Sequence, residues 1–226
     1  MNFKHVLLSS AAVAMMAGAA QAADLIVDVP VNEPVAVAGT GWYLSVFAGG
    51  TWINQADTTG VAEFSFEGDM GWLVGAAVGA HITDNLRGEI ELSYGRNELT
   101  AVTGDVTGDV TDGTGAATYL LGNLWFDITN DSGFTPYIGG GIGAAHVSTS
   151  GILPPADDFD VEGWGFAYQL GAGVKFAVAD NIDLDVGYRY KAIAGADLTT
   201  TGVDTSDNVT FDGSNHVLQV GVTVGF

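Results

Sequence analysis

Leu86-Arg87-Gly88-Glu89-Ile90-Glu91-Leu92-Ser93-Tyr94-Gly95 alternates without a break. Leu86, Gly88, Ile90, Leu92 and Tyr94 share one parity, and Arg87, Glu89, Glu91, Ser93 and Gly95 the other. Period two is the spacing of a β-strand, whose successive side chains point to opposite faces. The pattern returns from Trp164 to Phe176, from Ile182 to Lys191 and from Leu218 to Phe226, with weaker versions beginning near Trp42, Met70, Ala117 and Pro136. The spacing therefore predicts eight strands.

The connections alternate in length. Short turns are expected at Thr83-Asp84, from Thr129 to Gly133 and at Ala179-Asp180. Longer polar loops are expected from Asn54 to Asp69, Asn97 to Gly115, Thr149 to Gly163 and Ala192 to Ser214. The second of these holds a repeat, Val102-Thr103-Gly104-Asp105 then Val106-Thr107-Gly108-Asp109, which reads as flexible and unpacked. Tight turns at one end and long loops at the other are the habit of a membrane-spanning barrel.

A soluble sandwich or lipocalin-like barrel would alternate too, but it hides its apolar face. Aromatic placement decides between them. If odd strands run away from the N-terminal end, Trp52, Trp72, Tyr94, Trp164 and Tyr190 fall at the far ends of apolar faces. Trp42, Phe126, Phe176 and Phe226 fall at the near ends. These are two aromatic girdles on a lipid-facing surface. Trp164 to Phe176 spans about 30 Å at about 3.3 Å per residue and a roughly 40° tilt, close to a bilayer core.

The opposite face carries Arg87, Glu89, Glu91, Asp127, Lys175, Asp183, Asp185, Arg189 and Lys191. An eight-stranded barrel is just wide enough for side chains to fill, so these read as a packed, paired interior. Centring the last short turn on Ala179 sets Lys175 directly opposite Asp183.

The N-terminus gives the route. Lys4, the apolar run from Val6 to Ala17 and Ala20-Gln21-Ala22 form a secretory leader over 1–22, with cleavage expected after Ala22. Residues 23–41, with Pro30 and Pro34, read as a periplasmic lead-in to a barrel over 42–226. The chain has no cysteine, hence no disulfide framework and no thiolate metal site. A net charge of −21 argues against nucleic acid as a partner. Thirty-three glycines and 10% aromatics in an exported chain fit an all-β architecture, not an acidic disordered one.

With the strands placed, the chain resembles the outer-membrane protein β-barrel domain family, including opacity-type and alphaproteobacterial small surface proteins. The resemblance rests on Ile82-Thr83-Asp84-Asn85-Leu86-Arg87-Gly88-Glu89, Asn123-Leu124-Trp125-Phe126-Asp127, Thr135-Pro136-Tyr137-Ile138-Gly139-Gly140-Gly141-Ile142-Gly143, Asp180-Asn181-Ile182-Asp183-Leu184-Asp185-Val186-Gly187-Tyr188-Arg189-Tyr190 and the closing strand. It implies an up-and-down barrel of eight strands in the cell outer membrane. It also implies recognition by the outer-membrane assembly machinery, through the pattern that Leu218, Val220, Val222, Val224 and Phe226 match. No peptidoglycan-binding domain is expected after Phe226.

Three candidate chemistries remain. His146-Val147-Ser148 is similar to the His-x-Ser arrangement of outer-membrane lipid A deacylases, in which a base activates a serine. The sequence offers it no evident acidic partner. Asp157, Asp158, Asp160 and Glu162 could take up Ca²⁺ or Mg²⁺ through oxygen ligands, or form a solvated acidic loop. Gly139 to Gly143 is no nucleotide loop, because no helix follows, and more simply leaves room inside the barrel. The expectation is a non-enzymatic surface protein without cofactor. Its partners would be outer-membrane lipid and lipopolysaccharide, the assembly machinery and a host or cell-surface ligand met by its loops. A lipid A-modifying enzyme and a narrow pore are the alternatives.

Overall fold

The computed structural model describes residues 41–60, 63–104, 108–152, 158–201 and 209–226. The leader and all of the lead-in but Gly41 lie outside these. Nine strands are described: β1 Trp42–Gly60, β2 Phe64–Gly68, β3 Gly71–Thr83, β4 Leu86–Gly104, β5 Gly108–Asp127, β6 Phe134–Ile152, β7 Asp158–Ala179, β8 Ile182–Thr201 and β9 Val209–Gly225. All pair antiparallel with their neighbours, and β9 returns to β1 over a run from Tyr43↔Gly225 to Gly60↔Val209. β2 and β3 both lie between β1 and β4. They are two lengths of one column, so the ring has the eight columns that the alternation predicts.

Closure is what makes the outward face tolerable in lipid, because a spanning sheet can leave no backbone group unpaired there. At the junction the Phe226 amide donates to the Trp42 carbonyl at 3.0 Å, and on the other side of β9 the Gly225 amide donates to the Asn181 carbonyl at 2.9 Å. The outward face is apolar all round: Ile90, Leu92, Leu124, Ile142, Leu170 and Val220 are each more than half exposed. In a water-soluble protein so continuous a surface would drive aggregation. Trp52, Trp72, Tyr94 and Trp164 ring one end of it, and Trp42, Phe126, Phe176 and Phe226 the other, all exposed.

Two expectations need correcting. The four long loops are mostly strand. β1 runs on to Gly60, β4 to Gly104, β6 to Ile152 and β8 to Thr201, and their partners begin correspondingly early. Ladder bonds join backbone to backbone and need no apolar side chain. Above the girdle the outward face meets water, while the inward face of β4 buries Asn97, Leu99 and Val102 across a register shift, so the simple apolar–polar alternation that betrays a strand disappears while the strand continues. The Val-Thr-Gly-Asp repeat is not wholly unpacked either: Val102 sits in β4 opposite Phe66 and is 3% exposed, while Asp105 to Thr107 lie outside the described residues. The second correction is register. The turn falls at Asp180-Asn181, and an irregularity between Ala177 and Ala179 sets Lys175 opposite Asp185, not Asp183. Asp183 faces Ala177 and Thr223.

Inside, the glycine run on β6 makes room for its neighbours. A Cβ on Gly141 would collide with the Asn123 side chain and the Gly122 carbonyl across the β5–β6 ladder.

Phe226 supplies the last rung of the closure and the last outward aromatic. A chain ending at Gly225 is expected to yield much less folded barrel, read as the fraction with heat-dependent gel mobility. Undiminished recovery would refute the importance given to this rung.

Candidate functional sites in the lumen and on the outer face

The lumen residues come from alternate positions of every long strand, so their chemistry follows from parity. Toward the short-turn end, Arg87 donates from Nε to Asp127 Oδ2 at 2.8 Å and from Nη1 to Glu89 Oε1 at 3.0 Å. Lys175 Nζ reaches the same Asp127 oxygen at 3.0 Å. The Tyr43 hydroxyl and the Trp125 indole N–H both donate to Glu89, at 2.8 and 2.7 Å.

One layer further in, Arg189 lies over the Trp125 ring at 4.3 Å and donates to the Tyr137 hydroxyl at 2.8 Å. That hydroxyl donates on to Asp185 Oδ1 at 3.0 Å. A guanidinium is planar and more weakly hydrated than an ammonium, so it stacks flat on aromatic faces at a lower desolvation cost.

The third layer is built on Glu91. Lys191 Nζ donates to Glu91 Oε1 at 2.6 Å, and the Ser93 hydroxyl to the same oxygen at 2.8 Å. Asn123 and Gln169 donate to Oε2 at 2.9 and 2.6 Å. Lys191 is fully buried and Glu91 nearly so. Every lone pair facing the carboxylate's surroundings is thus used, which is the condition for keeping a charge in such a place.

The sequence-predicted charges therefore meet as three stacked layers, except Asp183, which lines the lumen mouth at the short-turn end beside Arg87 and Lys175. Sequence reasoning missed the neutral partners. Tyr43, Ser93, Asn123, Trp125, Tyr137 and Gln169 share parity with the charges, and that parity was the available signal.

The outer face holds the other candidates. His146 pairs in register with Trp164, and their rings stand 5.0 Å apart. Trp164 is 64% exposed, so His146 faces outward with it, and Ser148 shares that face by parity. Directly opposite Ser148 is Glu162, whose Oε2 lies 3.7 Å from His146 Nε2. The acidic partner that the linear sequence did not reveal is therefore present, brought in by the β6–β7 register. The acidic group itself is not a loop: Asp158, Asp160 and Glu162 lie along β7, Glu162 is engaged with His146, and Asp157 lies outside the described residues. Among the described residues no three acidic or histidine side chains converge on a point. His216 sits between Tyr188 and Tyr190 in the far girdle, and His81 against Tyr43 near the other mouth.

A closed antiparallel ring with a filled polar lumen, an apolar exterior and two aromatic belts defines a transmembrane β-barrel. The chain belongs to the outer membrane protein beta-barrel domain family, whose model matches residues 9–226. A Brucella abortus (strain 2308) relative, itself uncharacterised, is 32% identical over 84% of this chain and 80% of its own. Among solved structures, the barrel is similar to OprG of Pseudomonas aeruginosa (15% identity, TM-score 0.54, covering 83% of this chain and 98% of that one). It is also similar to Neisserial surface protein A (20% identity, TM-score 0.50, covering 83% and 99%). The protein is thus an outer-membrane barrel.

Glu91→Ala would leave Lys191 buried without its counter-charge. It is expected to cost about 3–5 kcal/mol, measured as a lower urea midpoint in lipid vesicles. Glu91→Leu combined with Lys191→Met should recover most of that loss. The same packing predicts near-zero conductance of the unaltered barrel in planar bilayers, and a sizeable single-channel current would contradict a filled lumen.

Proposed function

We propose that this barrel is a non-enzymatic surface protein that stabilises the outer membrane and holds acidic hairpins above it for contact with a host or cell-surface ligand or with lipopolysaccharide-bound cations. The observation that carries this reading is the length of the hairpins beyond the far girdle. From Trp52 to Gly60, β1 stays paired with β9 for eight more residues. That is about 20 Å at about 3.3 Å per residue and a roughly 40° tilt. A rigid paired stalk delivers its tip at lower entropic cost than a free loop of equal length. The chain's charge of −21 selects basic or cation-bridged partners. On this reading the leader is removed after Ala22, which N-terminal sequencing of the mature barrel reads directly. The alternating Leu218, Val220, Val222, Val224 and Phe226, all outward, are what the assembly machinery grips.

Shortening the β4–β5 and β6–β7 hairpins to the girdle should leave the barrel folded and reduce binding of cells to cationic or host-derived surfaces by about tenfold. Binding unchanged on every surface tried would remove the adhesive role.

A second reading is favoured by one observation, the 3.7 Å approach of Glu162 to His146 with Ser148 on the same face. A base oriented by a carboxylate beside a serine, at the level of lipid headgroups, is the arrangement for hydrolysis of a lipid acyl ester. Mass spectra of lipid A from cells carrying the native chain or His146→Ala would differ by an acyl chain if so, and identical spectra would eliminate it.

A further inference from the structure

Above the Glu91–Lys191 layer the lumen changes character. The space there is lined mainly by Leu73, Leu99, Tyr119, Val147, Ile193 and Val217, buried side chains from six strands, and it holds a void of about 60 Å³. Ordinarily the interior of such a barrel is polar, and the three layers below obey that. An apolar void does not hold water well, because a trapped water needs two to four polar partners.

The wall beside this void is interrupted. β1 pairs with β3 up to Thr51↔Gly71 and with β2 again from Asp57↔Ser65, in an unchanged register. Between them, Trp52–Ala56 has no ladder partner on that side among the described residues. The ladder lapses and resumes in the same register, leaving a slit in the backbone bonding of this wall. A side chain bridges its lower end: Asn97 Nδ2 donates to the Thr51 carbonyl at 3.1 Å and to the Asp69 carbonyl at 3.0 Å. Ile53 occupies the slit itself, since a Cβ on Gly68 would lie 2.8 Å from its Cδ1. Outside, the slit is rimmed by Trp52, Met70 and Trp72, all exposed at the level of the far girdle. Inside, Ile53, Ala56, Phe66 and Leu73 line the void. The path from lipid to lumen is mainly apolar, with Asn97 at the lower end of the slit and Asn97, Lys191 and Asn215 among the polar members of the void's lining.

We infer that the upper lumen is a binding site for a small uncharged apolar molecule, at most of single-ring size, which enters from the outer leaflet through the slit between β1 and the β2–β3 junction. The ion-paired layer under the void closes the route downward, so the site holds its occupant and does not conduct it. The void as it stands is smaller than the roughly 150 Å³ dry cavity that takes benzene. Ring-sized occupants therefore require Ile53 or Phe66, both partly exposed, to turn aside.

Methyl-labelled barrel in lipid nanodiscs, titrated with toluene and followed by NMR, tests both halves. Methyls of Leu73, Leu99, Val147 and Val217 are expected to shift saturably. Those of Val46, Val78 and Leu218 on the lipid face should drift without saturating. Ala117→Phe, which fills the void, should abolish the saturable shifts; should that variant not fold, Val147→Leu, with one added methylene, should weaken binding several-fold. Ile53→Trp should slow exchange at the lumen methyls by about tenfold, with binding still detectable. Lumen methyls that never saturate in the native barrel would overturn the site. Exchange unaltered in Ile53→Trp would overturn the lateral route.

Discussion

A sheet immersed in hydrocarbon must satisfy every backbone amide and carbonyl from within. In this protein that demand is met by the return of β9 to β1, and the rest of the structure is conditional on it. Once the ring is closed, alternate side chains have no choice but to face lipid or lumen. The outward set becomes a continuous apolar band between two aromatic belts, and the inward set is confined to a space eight columns wide. The charges on the inward set then have neither water nor room, and must find one another. Glu91 with Lys191, and Asp127 with Arg87 and Lys175, are the outcome.

Much of this was legible in the residues because parity survives every uncertainty about turns. Arg87, Glu89 and Glu91 are inward whatever the register, and Leu218 to Phe226 outward. Register was not legible at the β7–β8 turn, because the turn falls at Asp180-Asn181 and not on Ala179, and an irregularity at Ala177–Ala179 shifts the ladder by one residue, so that Lys175 faces Asp185 and not Asp183 without any composition change to announce it. Strand length was not legible either. Above the girdle the outward face of β4 and β5 meets water and a register shift at Leu99–Ala101 breaks the inward pattern, so Asn97 to Gly115 reads as loop although the ladder continues through most of it.

The candidate sites divide along the same line. The lumen charges needed only parity to be collected, and their aromatic and amide partners lay one inference further on. The approach of Glu162 to His146 depends on knowing which residue of β7 faces Ser148, fourteen residues away in a strand whose upper part carried no pattern. The break between β2 and β3 is subtler still. Asp69 and Met70 look like ordinary loop residues, and only the matching registers on either side turn them into a gap in a wall.

The Glu91–Lys191 pair joins residues 100 apart in sequence, and Gln169 reaches the same carboxylate from 78 away. Such contacts cannot form until at least four columns are in place, and they pull opposite sides of the cylinder together across its axis. They therefore contribute little while the sheet is being laid down and a great deal afterwards. Opening any one wall of the finished barrel means extracting a carboxylate and an ammonium from each other in a dry interior. The layer acts as a latch thrown after closure, whose main effect is to slow unfolding. For a protein that must persist in a membrane with no energy source on its outer side, that kinetic endurance matters more than the equilibrium depth of the folded well.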